Sequence, residues 1–328
     1  MANNIHLVNK AHCYRKMVAD AQDTCGNGCK FCYMKKYENM VANVPMDLGE
    51  IKEQLTIKNP VKTYLDKYKV VRIGALGDIK IGDSKSYNDV LELMQLLHVN
   101  NYNYILVTKS CHSVTDFMLE LMKSHNAILN VSCGFYSLNA SKRFESSHIV
   151  PPEGRRKLIE RSIRKGIPTV LRLNPMHPDF LSEHVKVVEW FASVGGERII
   201  LETLRLLGTW KSQMPDVDFS RFVGAKDGGV YNGYITPPRE MQDSIMSSMI
   251  YAAQTNGINK VTICGDMELN DRIGYRKDDM DCCHISEILG TERPPRDWDN
   301  LTIADDANYI EVITTIKSMD KNKKGQVL

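Results

Sequence analysis

The chain has 328 residues, 43% hydrophobic and 25% charged, an ordinary globular composition with room for one large domain or two modest ones. Lys and Arg number 42 against 40 Asp and Glu, a net charge of +2 that excludes nucleic-acid or membrane binding driven by overall charge and leaves only local patches. The N-terminus has no apolar core of signal-peptide length, and no apolar run approaches the ~20 residues of a membrane helix, so a cytoplasmic protein is expected. The nine cysteines are an odd count set mostly in strand-like or helix-like text, which is not a secreted disulfide framework.

The first informative stretch is TCGNGCKFCYMKKY, residues 24–37, with Cys25, Cys29 and Cys32 spaced C-x3-C-x2-C. Thiolates bind soft metals and iron–sulfur clusters. A structural zinc wants four ligands, whereas a four-iron cube held by three cysteines keeps one iron open, the mark of a catalytic metal site. Gly26 and Gly28 let a short loop wrap such a cube, and Phe31 between the last two ligands would shield it from water.

Downstream, strand-like and helix-like segments alternate. Strands are expected at 68–76, 102–110, 127–135, 168–175, 197–205 and 259–266. Helices are expected at 87–99, 114–125, 152–166, 182–195 and 237–256, the spacings of four, four and three between Met241, Ile245, Met249 and Ala252 keeping them on one face. Near-continuous apolar strands separated by helices imply a parallel sheet, and six or more such units predict an α/β fold, a full or partial (β/α) TIM-type barrel. A doubly wound open sheet is the alternative. Residues 206–236, with Gly224, Gly228, Gly229 and Gly233, read as a long loop able to cover a site. The barrel core is expected over 1–265, with 266–328 as a closing segment packed on it.

CGNGCKFCY resembles the signature of the radical S-adenosylmethionine (SAM) superfamily. The resemblance implies a [4Fe-4S] cluster on Cys25, Cys29 and Cys32, with SAM chelating the open iron. It also implies an electron donor such as a flavodoxin or ferredoxin, and reductive cleavage of SAM to a 5′-deoxyadenosyl radical that abstracts hydrogen from a substrate. The order ILVTKS, VSCGFYSLN, RFES, PPEGRRKLI, GIPTVLRLNPMHPD, LETLRL between 103 and 205 further resembles the spore photoproduct lyase-like branch. The lyase proper has a hydrogen-donor cysteine after the second strand, where this chain reads GALGD, so the DNA-repair activity is not carried over.

In a barrel, function collects at the C-terminal ends of the strands. The cofactor contacts implied there are Tyr33, Asp78 for the methionine amine, Lys109 for its carboxylate, Ser132 for ribose or methionine, and Arg172. Three have an alternative in ordinary structure: a plain turn at Gly77-Asp78, a surface lysine for Lys109, and an ion pair of Arg172 with Glu202. Cys111, Cys133 and Cys283 are candidate thiol donors in catalysis, with Cys133 on the opposite face from Ser132 and equally readable as core. A nucleotide or nucleic-acid substrate is suggested by the branch resemblance and by Arg155, Arg156, Arg161, Arg164 and Lys165, a set that also reads as a solvated helix face. Cys264, Cys282, Cys283 and His284, flanked by Asp279 and Asp281, make a second metal imaginable beside plain core packing. A zinc-binding structural module and a glycyl-radical activase are the competing functions.

Overall fold

The computed structural model describes residues 5–7, 17–20, 27–32, 46–74, 77–79, 83–146, 148–207, 211–212, 214–215, 217–224, 234–264 and 281–292. Cys25 and Tyr33 lie outside them.

An eight-stranded sheet forms the frame. Its strands are β1 (His6–Leu7), β2 (Met17–Ala19), β3 (Val70–Ile73), β4 (Asn103–Thr108), β5 (Ile128–Ser132), β6 (Thr169–Met176) and β7 (Arg198–Thr203), followed by a later strand, Lys260–Ile263. Three short strands intervene, β8 (Leu206–Leu207), β9 (Val223–Gly224) and β10 (Tyr234–Thr236), so the last frame strand is β11. The order is β1-β2-β3-β4-β5-β6-β7-β11, antiparallel only at the β1–β2 edge. Sequential parallel strands require crossovers of one hand, which curl the sheet toward a barrel. The described strands run open from β1 to β11, so this is an α/β partial barrel.

The crossovers carry α1 (Leu48–Thr56), α2 (Pro60–Tyr68), α3 (Ser84–Val99), α4 (Asp116–Ser124), α5 (Leu138–Phe144), α6 (Pro152–Arg164), α7 (Leu181–Ser193) and α8 (Arg239–Thr255). Side-chain oxygens of Asp47, Asn59, Asp83, Thr115 and Ser137 each accept a backbone N–H in the first turn of the helix that follows, satisfying donors that helix geometry leaves unpaired.

Alternation along the strands splits the sheet into two faces. One packs on the helices, with Val71, Ile73, Leu106, Leu129, Val131, Leu171, Leu173, Ile199, Leu201 and Val261 in the main core. The inner face carries Val70, Ile105, Val107, Ile128, Val170 and Ile200. Against this inner face packs α9 (Ile285–Leu289) with the residues before it.

The stretch 206–236 differs from the expected loop. It holds a three-stranded antiparallel sheet, β8-β10-β9. Pairing strands of two or three residues supplies backbone partners without a long apolar period, which is why the sequence there shows none. Beside it Phe135, Phe144, Leu204, Leu206, Met214 and Val217 form a separate apolar cluster, on which Phe31 of the cysteine loop packs.

Candidate functional site at the ends of the strands

Residues 27–32 form a tight turn, with Gly28 at φ +59° and the Cys32 N–H donating to the Cys29 carbonyl at 3.1 Å. Cys29 is buried and Cys32 half-buried. The turn is fastened on two sides. On one, the Lys30 N–H donates to the Phe144 carbonyl at 3.0 Å and Lys30 Nζ to the Lys142 carbonyl at 3.1 Å, while the Ser146 hydroxyl donates to the Asn27 carbonyl. On the other, Asn27 Nδ2 donates to Asp78 Oδ2 at 3.1 Å, and Ser110 Oγ donates to Asn27 Oδ1 at 3.3 Å.

Asp78 is the hub of this second attachment. Its Oδ1 accepts from the Ile79 N–H at 2.9 Å and Thr108 Oγ1 at 2.7 Å; its Oδ2 accepts from the N–H groups of Lys109 at 2.6 Å and Ser110 at 3.0 Å. Burial pushes the carboxyl pKa up, against the hydrogen bonds from Lys109, Thr108 and Ile79, which favour the carboxylate. The side chain thus ties the ends of β3 and β4 to the cysteine turn.

Lys109 alternates with Val107 onto the inner side. Its Nζ sits 3.0 Å from Glu145 Oε1, 3.1 Å from the Asn174 carbonyl and 4.8 Å from the centre of the Phe31 ring. Glu145 also accepts from Ser141 Oγ at 2.5 Å and from Arg155 Nη1 at 2.9 Å, and Arg155 Nη2 pairs with its other oxygen. Burial alone would raise the Glu145 carboxyl, but the Arg155 and Lys109 cations hold it down at about 2. Arg155 completes the chain by donating to the Ser132 carbonyl at 3.1 Å.

Ser132 and Asn130 follow Ile128 along the inner side of β5. Asn130 is fully buried, and neither its Oδ1 nor its Nδ2 has a hydrogen-bond partner among the described residues. A buried amide with donor and acceptor both unpaired is costly unless something meets it.

Arg172 on β6 lies with Glu202 of β7, Nε to Oε2 at 2.7 Å and Nη2 to Oε2 at 2.6 Å, and Asn174 Nδ2 donates to the same oxygen at 2.7 Å. The ion pair named as the structural alternative is therefore present. Burial by itself raises the Glu202 carboxyl, while Arg172 and Arg205 draw it below the ordinary range.

Of the three candidate thiols, Cys133 is fully buried, belongs to the helix-side core and donates to the Phe135 carbonyl at 3.5 Å. Cys111 is in the same core, next to Gly154 of α6, and burial pushes its thiol up to about 11. Cys283 is on the inner face with Cys282.

The expected basic patch does not form as such. Arg155 is wholly buried on Glu145. Arg156 lies 3.9 Å from the Tyr136 ring, Arg161 donates to the Val114 carbonyl at 2.5 Å, and Lys165 meets Glu120 at 2.6 Å. Arg164 lies 3.5 Å from Glu160, one turn back on the same helix.

Sequence reasoning missed Asn27, Ser110, Glu145 and Asn130. Asn130, a polar residue inside ILNVS, was the one with a readable signal, since an amide in a wholly buried strand needs a partner.

No protein-family model matches the chain, and no curated protein matches it by sequence. Solved structures do match. A spore photoproduct lyase complexed with dinucleoside spore photoproduct shares 15% identity at a TM-score of 0.60, covering 76% of each chain. A lyase variant with bound AdoMet and the dinucleoside shares 14% at 0.61, covering 79% of this chain and 80% of that one. Streptococcus suis SuiB bound to S-adenosylmethionine shares 12% at 0.53, covering 77% of this chain and 51% of its own. The likeness to both proteins is one of fold.

Proposed function

We propose that this protein is a radical SAM enzyme whose [4Fe-4S] cluster is held by Cys25, Cys29 and Cys32. When bound, the cluster and SAM supply reductive cleavage of the sulfonium to a 5′-deoxyadenosyl radical that takes hydrogen from a substrate. The observation that carries the reading is the fastening of the cysteine turn to the strand ends through Asn27 and Asp78. It sets two thiols at the end of the partial barrel where such folds place their chemistry.

The donor set fits. Cysteines on a glycine-bent turn suit an iron–sulfur cluster, and the orphaned amide of Asn130, with Ser132 beyond it, suits a polar ligand against the inner face. Asp78 acts by positioning: both of its oxygens are engaged by protein donors, so it fixes the turn instead of touching SAM. Lys109 lies against Phe31 and Glu145, where its charge faces the cluster loop. Arg172, locked by Glu202, presents a fixed cation to the inner face. Tyr33 remains a proposed cofactor contact.

A nucleotide or nucleic acid is the proposed substrate class. Its support is the fold likeness to an enzyme solved with a dinucleoside, since the paired cations of α6 add none. Anaerobic reconstitution with iron and sulfide tests the cluster. About four irons and four sulfides per chain, lost in a Cys25→Ala, Cys29→Ala, Cys32→Ala variant, is the expected result. A colourless protein carrying zinc on these cysteines would transfer the loop to a structural role.

A further inference from the structure

A second group of sulfurs lies on the inner face, away from the cysteine turn. Cys264 follows β11, its N–H donating to the Leu201 carbonyl at 2.8 Å, and Arg172 Nη2 donates to its Sγ at 3.4 Å. Across from it runs the segment leading into α9. Thr262 Oγ1 donates to the Cys282 carbonyl at 2.7 Å, anchoring that segment to the last strand. Cys282 and Cys283 belong to the inner-face cluster, and Cys264 packs against that cluster.

Asp281 joins them. The ligand atoms of Asp281, Cys282 and Cys283 all lie within 4.8 Å of one another, and the three residues are 7%, 5% and 2% exposed. Consecutive side chains would diverge in a strand. Here they converge because the segment is a tight turn with His284 at φ +57°. Asp281 shapes the turn by accepting from the Cys283 N–H at 3.1 Å on Oδ1, and from the Ser286 N–H at 3.0 Å and Ser286 Oγ at 3.3 Å on Oδ2.

His284, the obvious ligand by sequence, is committed elsewhere. Its Nε2 is 3.2 Å from Thr262 Oγ1 and 3.3 Å from the Ile199 carbonyl, and its Nδ1 is 3.5 Å from Glu287. The sulfur-rich remainder favours a soft ion. Tetrahedral zinc, with bonds of about 2.3 Å to sulfur, needs its ligand atoms roughly 3.8 Å apart. The Asp281, Cys282 and Cys283 atoms are within 4.8 Å before any ion draws them in.

We propose that Asp281, Cys282 and Cys283, joined by Cys264 of the facing strand end, form a second metal site for a soft divalent cation such as zinc. The ion links the segment before α9 to the last strand, and the Arg172 N–H orients the Cys264 thiolate as outer groups commonly do around metal-bound sulfur. The proposal stands whether or not the cysteine turn holds a cluster.

The test uses the full chain with Cys25, Cys29 and Cys32 changed to Ser, titrated anaerobically with cobalt(II). One equivalent should bind with tetrahedral ligand-field bands and sulfur-to-cobalt charge transfer. Adding Cys282→Ser and Cys283→Ser should abolish that charge transfer, and Cys264→Ser alone should lower it by about a third, as expected for three thiolates reduced to two. No thiolate band in the loop variant, or a band untouched by the Cys282 and Cys283 changes, would overturn the proposal. Should the loop variant fail to fold, iron-loaded wild-type protein decides: one retained zinc per chain supports the site, and none overturns it.

Discussion

Asn27 Nδ2 donates to Asp78 Oδ2 at 3.1 Å, joining the cysteine turn to a carboxylate that also gathers backbone N–H groups from the end of β4. Asp78→Asn keeps the shape but turns an amide donor toward groups that are themselves donors. The variant should lose about 2–3 kcal/mol and retain much less iron after reconstitution. Denaturant midpoints and iron analysis on the same preparation check this. Full iron retention at wild-type stability would remove Asp78 from the account.

Glu145 gives a pH dependence with a definite sign. Its folded pKa is depressed from 4.5 to about 2, so its contribution is fully present above about pH 4.5 and is lost as pH falls through the folded value. The stake is on the order of 3 kcal/mol. Urea unfolding of the iron-free protein between pH 5 and pH 3 should show stability falling with acid. Glu145→Gln should flatten that slope while costing roughly 3–5 kcal/mol at neutral pH, because Arg155 is left buried without its counter-ion.

Gly74 closes β3 with φ +77°, and a Cβ there would stand 2.3 Å from the Val107 carbonyl oxygen. Gly74→Ala combines a left-handed backbone with a clash against a neighbouring strand. A loss of roughly 2–4 kcal/mol is expected, read as a lower thermal midpoint. An unchanged midpoint would mean the strand ends are not held as described.

Cys133 belongs to the helix-side core, not the inner face. Cys133→Ala should therefore cost only about 1–2 kcal/mol and leave SAM cleavage at the wild-type rate. Loss of cleavage in a folded, iron-loaded variant would restore Cys133 as a catalytic thiol.

The parallel strands were legible because they are buried on both faces and read as short apolar runs; 102–110 and 127–135 contain β4 and β5. Helices between them showed through their periodicity. The first parallel strand, β2, is three residues long and offers no period, while the buried stripes of α1 (Ile51, Leu55) and α2 (Tyr64, Leu65, Tyr68) lie in helices of only nine residues each. The three-cysteine spacing was legible because Cys25, Cys29 and Cys32 stand together in one short stretch of sequence. The network around it was not. Lys109, Glu145 and Arg155 come from three segments and find one another only after folding. The same pairing turned an apparent basic stripe on α6 into buried or neutralised side chains, since Glu120 of α4 is invisible from the helix itself.

The central claim is that the cysteine turn supports reductive cleavage of SAM. Its most direct measurement is 5′-deoxyadenosine formed anaerobically by reconstituted protein given SAM and a strong reductant, beside the Cys25, Cys29, Cys32 triple alanine variant. The account predicts nucleoside from the wild type and none from the variant. Equal yields from both, or none from wild-type protein that holds no iron cluster but carries zinc on these cysteines, would contradict it.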